Sequence, residues 1–267
     1  MPDVITSFLA TGSGAIVGLV LGLVGGGGSI LAVPLLVYVV GVASPHVAIG
    51  TSAIAVSASA AGNLLTHWRL GNVKWRCAAV FATAGVLGAF VGSTVAKALD
   101  GEKLLALFGI VMVIVGAVML RRRDAGGSPE VRLTSDTARE LLPMLLGIGF
   151  AVGAFSGFFG IGGGFLIVPG LMLATGMPLT FAIGTSLVAI AAFGAATAVS
   201  YATSGLVDWW LAGLFVLGGA AGGLTGTALG KVLAARKQVL GTVFATLVIA
   251  VGLYVTARGV TAAFGTG

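Results

Sequence analysis

Charge is what this sequence has least of. Fourteen basic and eight acidic residues are spread over 267 positions, so charged side chains make up 8% of the chain, against roughly a quarter in soluble domains. The shortage is also uneven. No Asp, Glu, Lys or Arg occurs between Asp3 and His67, between Cys77 and Val95, between Leu104 and Leu120, or between Leu141 and Val207. With 58% hydrophobic residues and a mean hydropathy of +1.13, a water-soluble domain is excluded, and the charge-free runs mark where the hydrocarbon of a lipid bilayer lies. The same runs hold no paired carboxylates, no His/Cys cluster for a metal and no nucleophile with its base. The chain is therefore not expected to be an enzyme, and no cofactor or metal is expected. One cysteine, Cys77, excludes an internal disulfide. The start, Met1, Pro2 and Asp3, lacks the basic region of a signal peptide, so the first apolar segment is expected to stay in the mature protein.

Five apolar segments can be read in each half. They run over about 4–24, 29–43, 46–66, 77–98 and 103–120 in the first, and 141–159, 164–176, 178–203, 209–233 and 238–257 in the second. All are predicted to be helices, because in lipid each backbone amide must be satisfied within its own segment. The second member of each set is too short. At about 1.5 Å per residue it reaches ~20 Å, less than the ~30 Å hydrocarbon core. The first two segments of each half are thus predicted to form a glycine-broken or re-entrant helix pair. The expected fold class is an all-α polytopic membrane protein of two repeats, 1–120 and 141–267, joined by a linker over 121–140.

The repeat is visible residue by residue. Gly25, Gly26, Gly27, Gly28 and Ser29 return as Gly160, Ile161, Gly162, Gly163 and Gly164, each set five residues before a proline, Pro34 or Pro169, and upstream of an identical Ala-Ile-Gly-Thr-Ser. Gly18, Gly22 and Gly25 match Gly153, Gly157 and Gly160 at a spacing of 135, and Thr51 and Ser52 match Thr185 and Ser186 at 134. Gly71, Trp75, Gly85, Gly88, Gly92 and Lys97 match Gly205, Trp209, Gly219, Gly222, Gly226 and Lys231. A duplicated apolar unit, glycine-broken at the same place in both copies, points to the binding site of a secondary transporter.

Loop charges bear on how the copies are related. The loop between segments three and four carries Arg69, Lys74 and Arg76 in the first half but Asp208 and no cation in the second. The next loop reverses the bias: Lys97 and Lys103 are offset by Asp100 and Glu102, whereas Lys231, Arg236 and Lys237 are unopposed. Basic loops favour the cytoplasm. The expectation is a cytoplasmic linker, both termini outside and two repeats of inverted topology. The net charge of +6 is then explained by cytoplasmic loops, with no nucleic-acid partner expected.

With no charge inside any span, a midplane ligand must be held by dipoles and neutral donors. A helix that starts at a glycine break presents bare amides to an anion, and glycine lets ligand atoms approach without a Cβ in the way. The candidates for substrate binding are Gly25, Gly27, Gly28 and Ser29 with Gly160, Gly162, Gly163 and Gly164, followed by Thr51, Ser52, Thr185 and Ser186. The other reading is that the glycines serve tight turns and close packing, and that each hydroxyl bonds its own helix. Asn63, its match Thr197, Ser156, Ser200 and Tyr201 are weaker candidates. His67 and Arg69 read as interfacial residues, with proton coupling through His67 as the alternative, and Trp68, Trp75, Trp209 and Trp210 as an aromatic belt. Gly218, Gly222, Gly226 and Gly230, matched by Ala84, Gly88, Gly92 and Ala96, form smooth stripes suited to close helix packing. The sequence does not decide between packing within the monomer and a homodimer.

The paired order of G-x-G-G-G or its variant, proline and A-x-G-T-S, in some 260 apolar residues, resembles the TauE/SafE family, also called the 4-toluene sulfonate uptake permease family. The resemblance covers essentially the whole chain. It implies a multi-pass permease of a bacterial or archaeal inner membrane that moves small anions such as sulfite, sulfonates and related carboxylates, with the glycine breaks and both Gly-Thr-Ser sets lining the site. A passive anion channel is the alternative. The first copy departs from the pattern at Gly26 and Ser29; Ser29 either adds a hydroxyl donor or narrows access to the backbone.

Overall fold

A computed structural model describes residues 4–24, 26–121, 135–160, 164–232 and 237–264, and among these all regular secondary structure is helical. Among the described residues, eight helices are long and apolar enough to cross a membrane. They belong to α1 (Val4–Val24), α3 (Pro45–Arg69), α4 (Trp75–Lys97), α5 (Gly101–Arg121), α6 (Ser135–Phe159), α8 (Leu179–Ala202), α9 (Trp209–Val232) and α10 (Lys237–Phe264). Two short pieces complete the set. Residues 26–39 form a composite of a 3-10 stretch (Gly26–Leu31), one α turn, α2 (Ala32–Pro34), and a π stretch (Leu35–Val39), while α7 spans Gly164–Thr175. The predicted short second segment is thus present in both halves. The linker expected over 121–140 lies mostly outside the described residues.

The helix boundaries follow from local chemistry. Pro45 begins α3 behind Ser44, whose side chain accepts a hydrogen bond from the Val47 amide, a Ser cap with proline at the first helical position. Asp100 Oδ1 accepts from the amides of Glu102 and Lys103 at the start of α5, and Asp208 Oδ1 accepts from the Leu211 amide at the start of α9. At the other ends, Gly71, Gly160, Gly176 and Gly205 have φ between +67° and +71°, the left-handed backbone that closes a helix at little cost only for glycine.

Packing is dominated by glycine faces. A Cβ placed on Gly14, Gly18 or Gly22 of α1 would meet the backbone of Phe215, Gly219 or Gly223 of α9, and one on Gly149, Gly153 or Gly157 of α6 would meet Phe81, Gly85 or Ala89 of α4. In return, Gly218, Gly222 and Gly226 of α9 meet Thr11, Ala15 and Leu19 of α1, and Gly88 and Gly92 of α4 meet Phe150 and Ala154 of α6. The stripes left undecided by the sequence therefore pack inside the chain. With no side chain between them the backbones approach closely, and dispersion contacts replace the hydrophobic effect that lipid cannot supply.

The two halves consequently interlock. The first span of each half lies along the fourth span of the other, α1 on α9 and α6 on α4, while α3 packs on α8 and α5 on α10. Helices α3 and α8 run antiparallel: Gly50 faces Tyr201, Ala53 faces Gly194, and Ser57 Oγ donates to the Ala191 carbonyl at 2.7 Å. The contacts recur at equivalent positions, as Gly18 with Gly219 and Gly153 with Gly85 illustrate. Around this core, large apolar side chains such as Phe8, Ile16, Leu87, Phe155, Leu217 and Leu224 are exposed, which suits a lipid-facing surface and would be an aggregation hazard in water. Trp68 and Trp75 stack edge to face at 6.0 Å beside the turn from α3 to α4, and exposed Trp209 and Trp210 open α9, so both ends of the bundle carry indole rings.

Candidate functional site

The 3-10 stretch Gly26–Leu31, which follows the first break, packs against α7, which follows the second. Of the predicted site residues, Gly27 and Gly28 lie in that stretch with Ser29, and Gly164 opens α7; Gly25, Gly162 and Gly163 lie outside the described residues. Gly28 abuts the backbone of Leu21 so closely that a Cβ would collide with it, and Gly160, at φ +67°, is pressed against Ile49 at the start of the Gly-Thr-Ser segment. Ser29 and Gly164 are both buried, and Ser29 is engaged within the protein.

The Gly-Thr-Ser segments stitch the halves together. Thr51 Oγ1 accepts the amide of Asp208 at 3.0 Å, and Thr185 Oγ1 accepts the amide of Lys74 at 3.0 Å. Each threonine thus takes up one of the orphan amides where the opposite half starts its fourth span, as an N-cap supplied from another element. The preceding glycines make this possible. Gly50 sits against the Leu206 carbonyl and Gly184 against the Asn72 carbonyl, with no room for a Cβ at either. Both threonines are fully buried, and with the oxygen committed to an amide, the hydroxyl hydrogen is what each has to offer an anion.

Ser52 and Ser186 are fully buried as well. Ser52 Oγ donates to the Ile49 carbonyl at 2.9 Å and lies 3.2 Å from the Gly160 carbonyl, which ties α3 to the second break. Ser186 Oγ donates to the Ile183 carbonyl at 2.8 Å. In this conformation an anion would reach either serine proton only by displacing a carbonyl.

Among the described residues, five buried polar atoms have no hydrogen-bond partner: Asn63 Nδ2, His67 Nδ1, Ser156 Oγ, Thr197 Oγ1 and Tyr201 Oη. Four of them fall at equivalent positions, since Asn63 matches Thr197 and His67 matches Tyr201, one turn apart near the carboxyl ends of α3 and α8. Lys97, read from sequence as an ordinary loop charge, instead bends over the carboxyl end of α8. Its Nζ donates to the Ser200 carbonyl, Ser200 Oγ and Ser204 Oγ at 3.0 to 3.1 Å. A cation there meets the negative end of the helix dipole; the Ser200 and Ser204 pair at i and i+4 was the available signal. Two cavities, of about 340 Å³ and 410 Å³, flank the Gly41–Ala43 turn, one reaching Asp208 and the other Glu102 and Arg258. Neither is lined by a described residue of a break.

The family model described as sulfite exporter TauE/SafE matches residues 10–255, nearly the whole chain. The chain belongs to the TauE/SafE family. Similar proteins agree: a probable membrane transporter protein of Xylella fastidiosa (strain 9a5c) is 51% identical over 255 residues, covering 95% of this chain and 97% of its own. The probable membrane transporter protein YunE of Bacillus subtilis (strain 168) is 29% identical over 244 residues, covering 85% and 89%. No solved structure matches the chain. This TauE/SafE protein is a multi-pass helical membrane protein of a transporter family.

Proposed function

We propose that the protein is a secondary transporter for small anions, with sulfite, sulfonates and related carboxylates as the substrate class, working by alternating access about the two helix breaks. The observation that carries this reading is the pair of reciprocal bonds from Thr51 to the Asp208 amide and from Thr185 to the Lys74 amide. Equivalent residues make equivalent contacts across antiparallel α3 and α8, as two repeats of inverted topology would. The breaks then face each other near the midplane, with α7 and the residues 26–39 segment re-entering from opposite sides. Bare amides at the start of each supply positive partial charge without any ionised side chain. The family description, sulfite exporter, agrees with an oxyanion.

Loop charge orients the molecule. Arg69, Lys74 and Arg76 cluster around one loop and the linker sequence is rich in arginine; by the bias of basic loops both belong in the cytoplasm of an inner membrane, with both termini outside. The acids of the spans, Glu102 and Glu140, lie only at the starts of α5 and α6, and none lies in a span interior to relay protons, so coupling rests on a co-bound ion, a protonated substrate, His67 or exchange. The partners of the protein are its anion and the bilayer.

Purified protein in liposomes, given sulfite, methanesulfonate or acetate, tests this. Saturable uptake that is lost in Gly27→Val and Gly162→Val, with both variants still folded, is the expected result. Uptake unchanged in both variants would remove the glycine breaks from the site, and flux far above a transporter's turnover would favour a channel.

A further inference from the structure

Resting on the anion-transporter reading, we propose that Ser156 supplies the hydroxyl that grips the substrate's head group, and that the two ends of the site are unequal, favouring small oxyanions with a single head group. Ser156 belongs to the last turn of α6, four residues before Gly160. It is fully buried, and its hydroxyl has no hydrogen-bond partner among the described residues. In an apolar interior such a group costs about 1–3 kcal/mol, an expense with no structural return. Serine is also a weaker helix former than alanine, so neither propensity nor packing explains it.

Its direction is set by its neighbours. Ile148 and Val152 of α6 both pack on Gly170 of α7, which marks the 148, 152, 156 row as the face of α6 turned to α7. As α7 folds back along α6, the next position on that row, 156, lies toward the end of α7 that begins at Gly164. The first four amides of a helix have no acceptor within it. A fully buried, unpaired O–H and a set of helix-start amides therefore converge, and an oxyanion satisfies both at once.

The first half has no such group. The residue equivalent to Ser156 is Leu21, which is 2% exposed and whose backbone is closed over by Gly28. Both ends of the site offer helix-start amides, but one adds a buried hydroxyl where the other has an apolar side chain at the same depth. A compact anion with one charged head and a neutral or apolar remainder fits. In a molecule with an anionic group at each end, the second would lie beside Leu21 with no hydroxyl to match Ser156, and would be held less well out of water.

The test uses purified full-length protein and thermal-shift or calorimetric titration with sulfite, methanesulfonate and ethane-1,2-disulfonate. Wild type should bind the first two at least tenfold more tightly than the disulfonate. Ser156→Ala should weaken sulfite and methanesulfonate about tenfold, one charge-assisted hydrogen bond's worth, while the ligand-free melting temperature stays equal or rises. Ser156→Cys, which keeps the volume but donates weakly, should fall between the two, and it serves in place of alanine if that variant does not fold. Binding equal to wild type in either variant, or a preference for the disulfonate, overturns the inference while leaving the transporter reading intact. Wild type that binds none of the three probes takes down both.

Discussion

In the first half the segment after the break is a composite of 3-10, α and π turns over residues 26–39, whereas its counterpart runs as one α-helix from Gly164 to Thr175. The contrast recurs around the site. Leu21 stands opposite Ser156, Ser29 opposite Gly164, and the Asn63 and His67 pair opposite Thr197 and Tyr201. Yet the contacts that hold the halves together are nearly the same on both sides: glycine against backbone from α1 to α9 and from α6 to α4, and threonine oxygen to amide twice. The difference teaches where each constraint acts. Backbone-to-backbone packing tolerates no Cβ and keeps both copies alike, while a ligand is not symmetric and lets the polar groups diverge. The irregular first segment has a local cause. Gly27 and Gly28 fall inside the first segment and weaken its start, whereas α7 begins only at the last glycine of its cluster; each segment carries a proline, Pro34 or Pro169, which removes a donor and crowds the carbonyl four residues back.

The comparison can be broken most severely at the glycine faces. Gly18→Leu and Gly153→Leu each drive a side chain into an opposing backbone that has nothing flexible to yield, at α9 and α4 respectively. Each should cost at least ~3 kcal/mol, seen as loss of monodisperse protein in detergent. Intact protein from one and not the other would show that the two interfaces are not equivalent. A smaller effect is expected at the caps. Thr51→Val and Thr185→Val each remove an acceptor from a helix start and should lower stability by about 1 kcal/mol. The two losses should be similar and additive in the double variant, because the sites share no partner. Melting temperatures in a common detergent measure this. The smallest effect sharpens the asymmetry: Lys97→Met frees the carboxyl end of α8 and should cost between ~0.5 and ~1 kcal/mol, with Ser200→Ala additive to it only in part, since the two side chains share hydrogen bonds.

Much of this architecture was legible in the residues themselves. Charge-free runs marked the spans, and their lengths separated the two short segments, read at 29–43 and 164–176, from the rest. Gly218, Gly222 and Gly226, with Gly88 and Gly92 in the other copy, announced smooth faces. Which face meets which was not legible, because periodicity reports that one side of a helix is small and says nothing of its partner; that α1 lies on α9 rather than beside α2 is decided by the match between two backbones. The site was legible as a place and less so as chemistry. Thr51 and Thr185 read as hydroxyls near a glycine break, but their bonds run to amides 157 and 111 positions away, beyond any local pattern. Ser156 looked like one more membrane serine until its burial and lack of a partner among the described residues set it apart from Thr83, Thr94 and Thr246, each of which bonds the carbonyl four residues back.

The claim beneath the whole account is that equivalent loops of the two halves open on opposite faces of the membrane. In a protein with Cys77 replaced by serine, Arg76→Cys and Trp210→Cys place single thiols at equivalent exposed positions at the starts of α4 and α9, for labelling by a membrane-impermeant maleimide in right-side-out and inside-out vesicles. The account predicts that position 76 reacts only from the cytoplasmic face and position 210 only from the outer face. Labelling of both from the same face would contradict it.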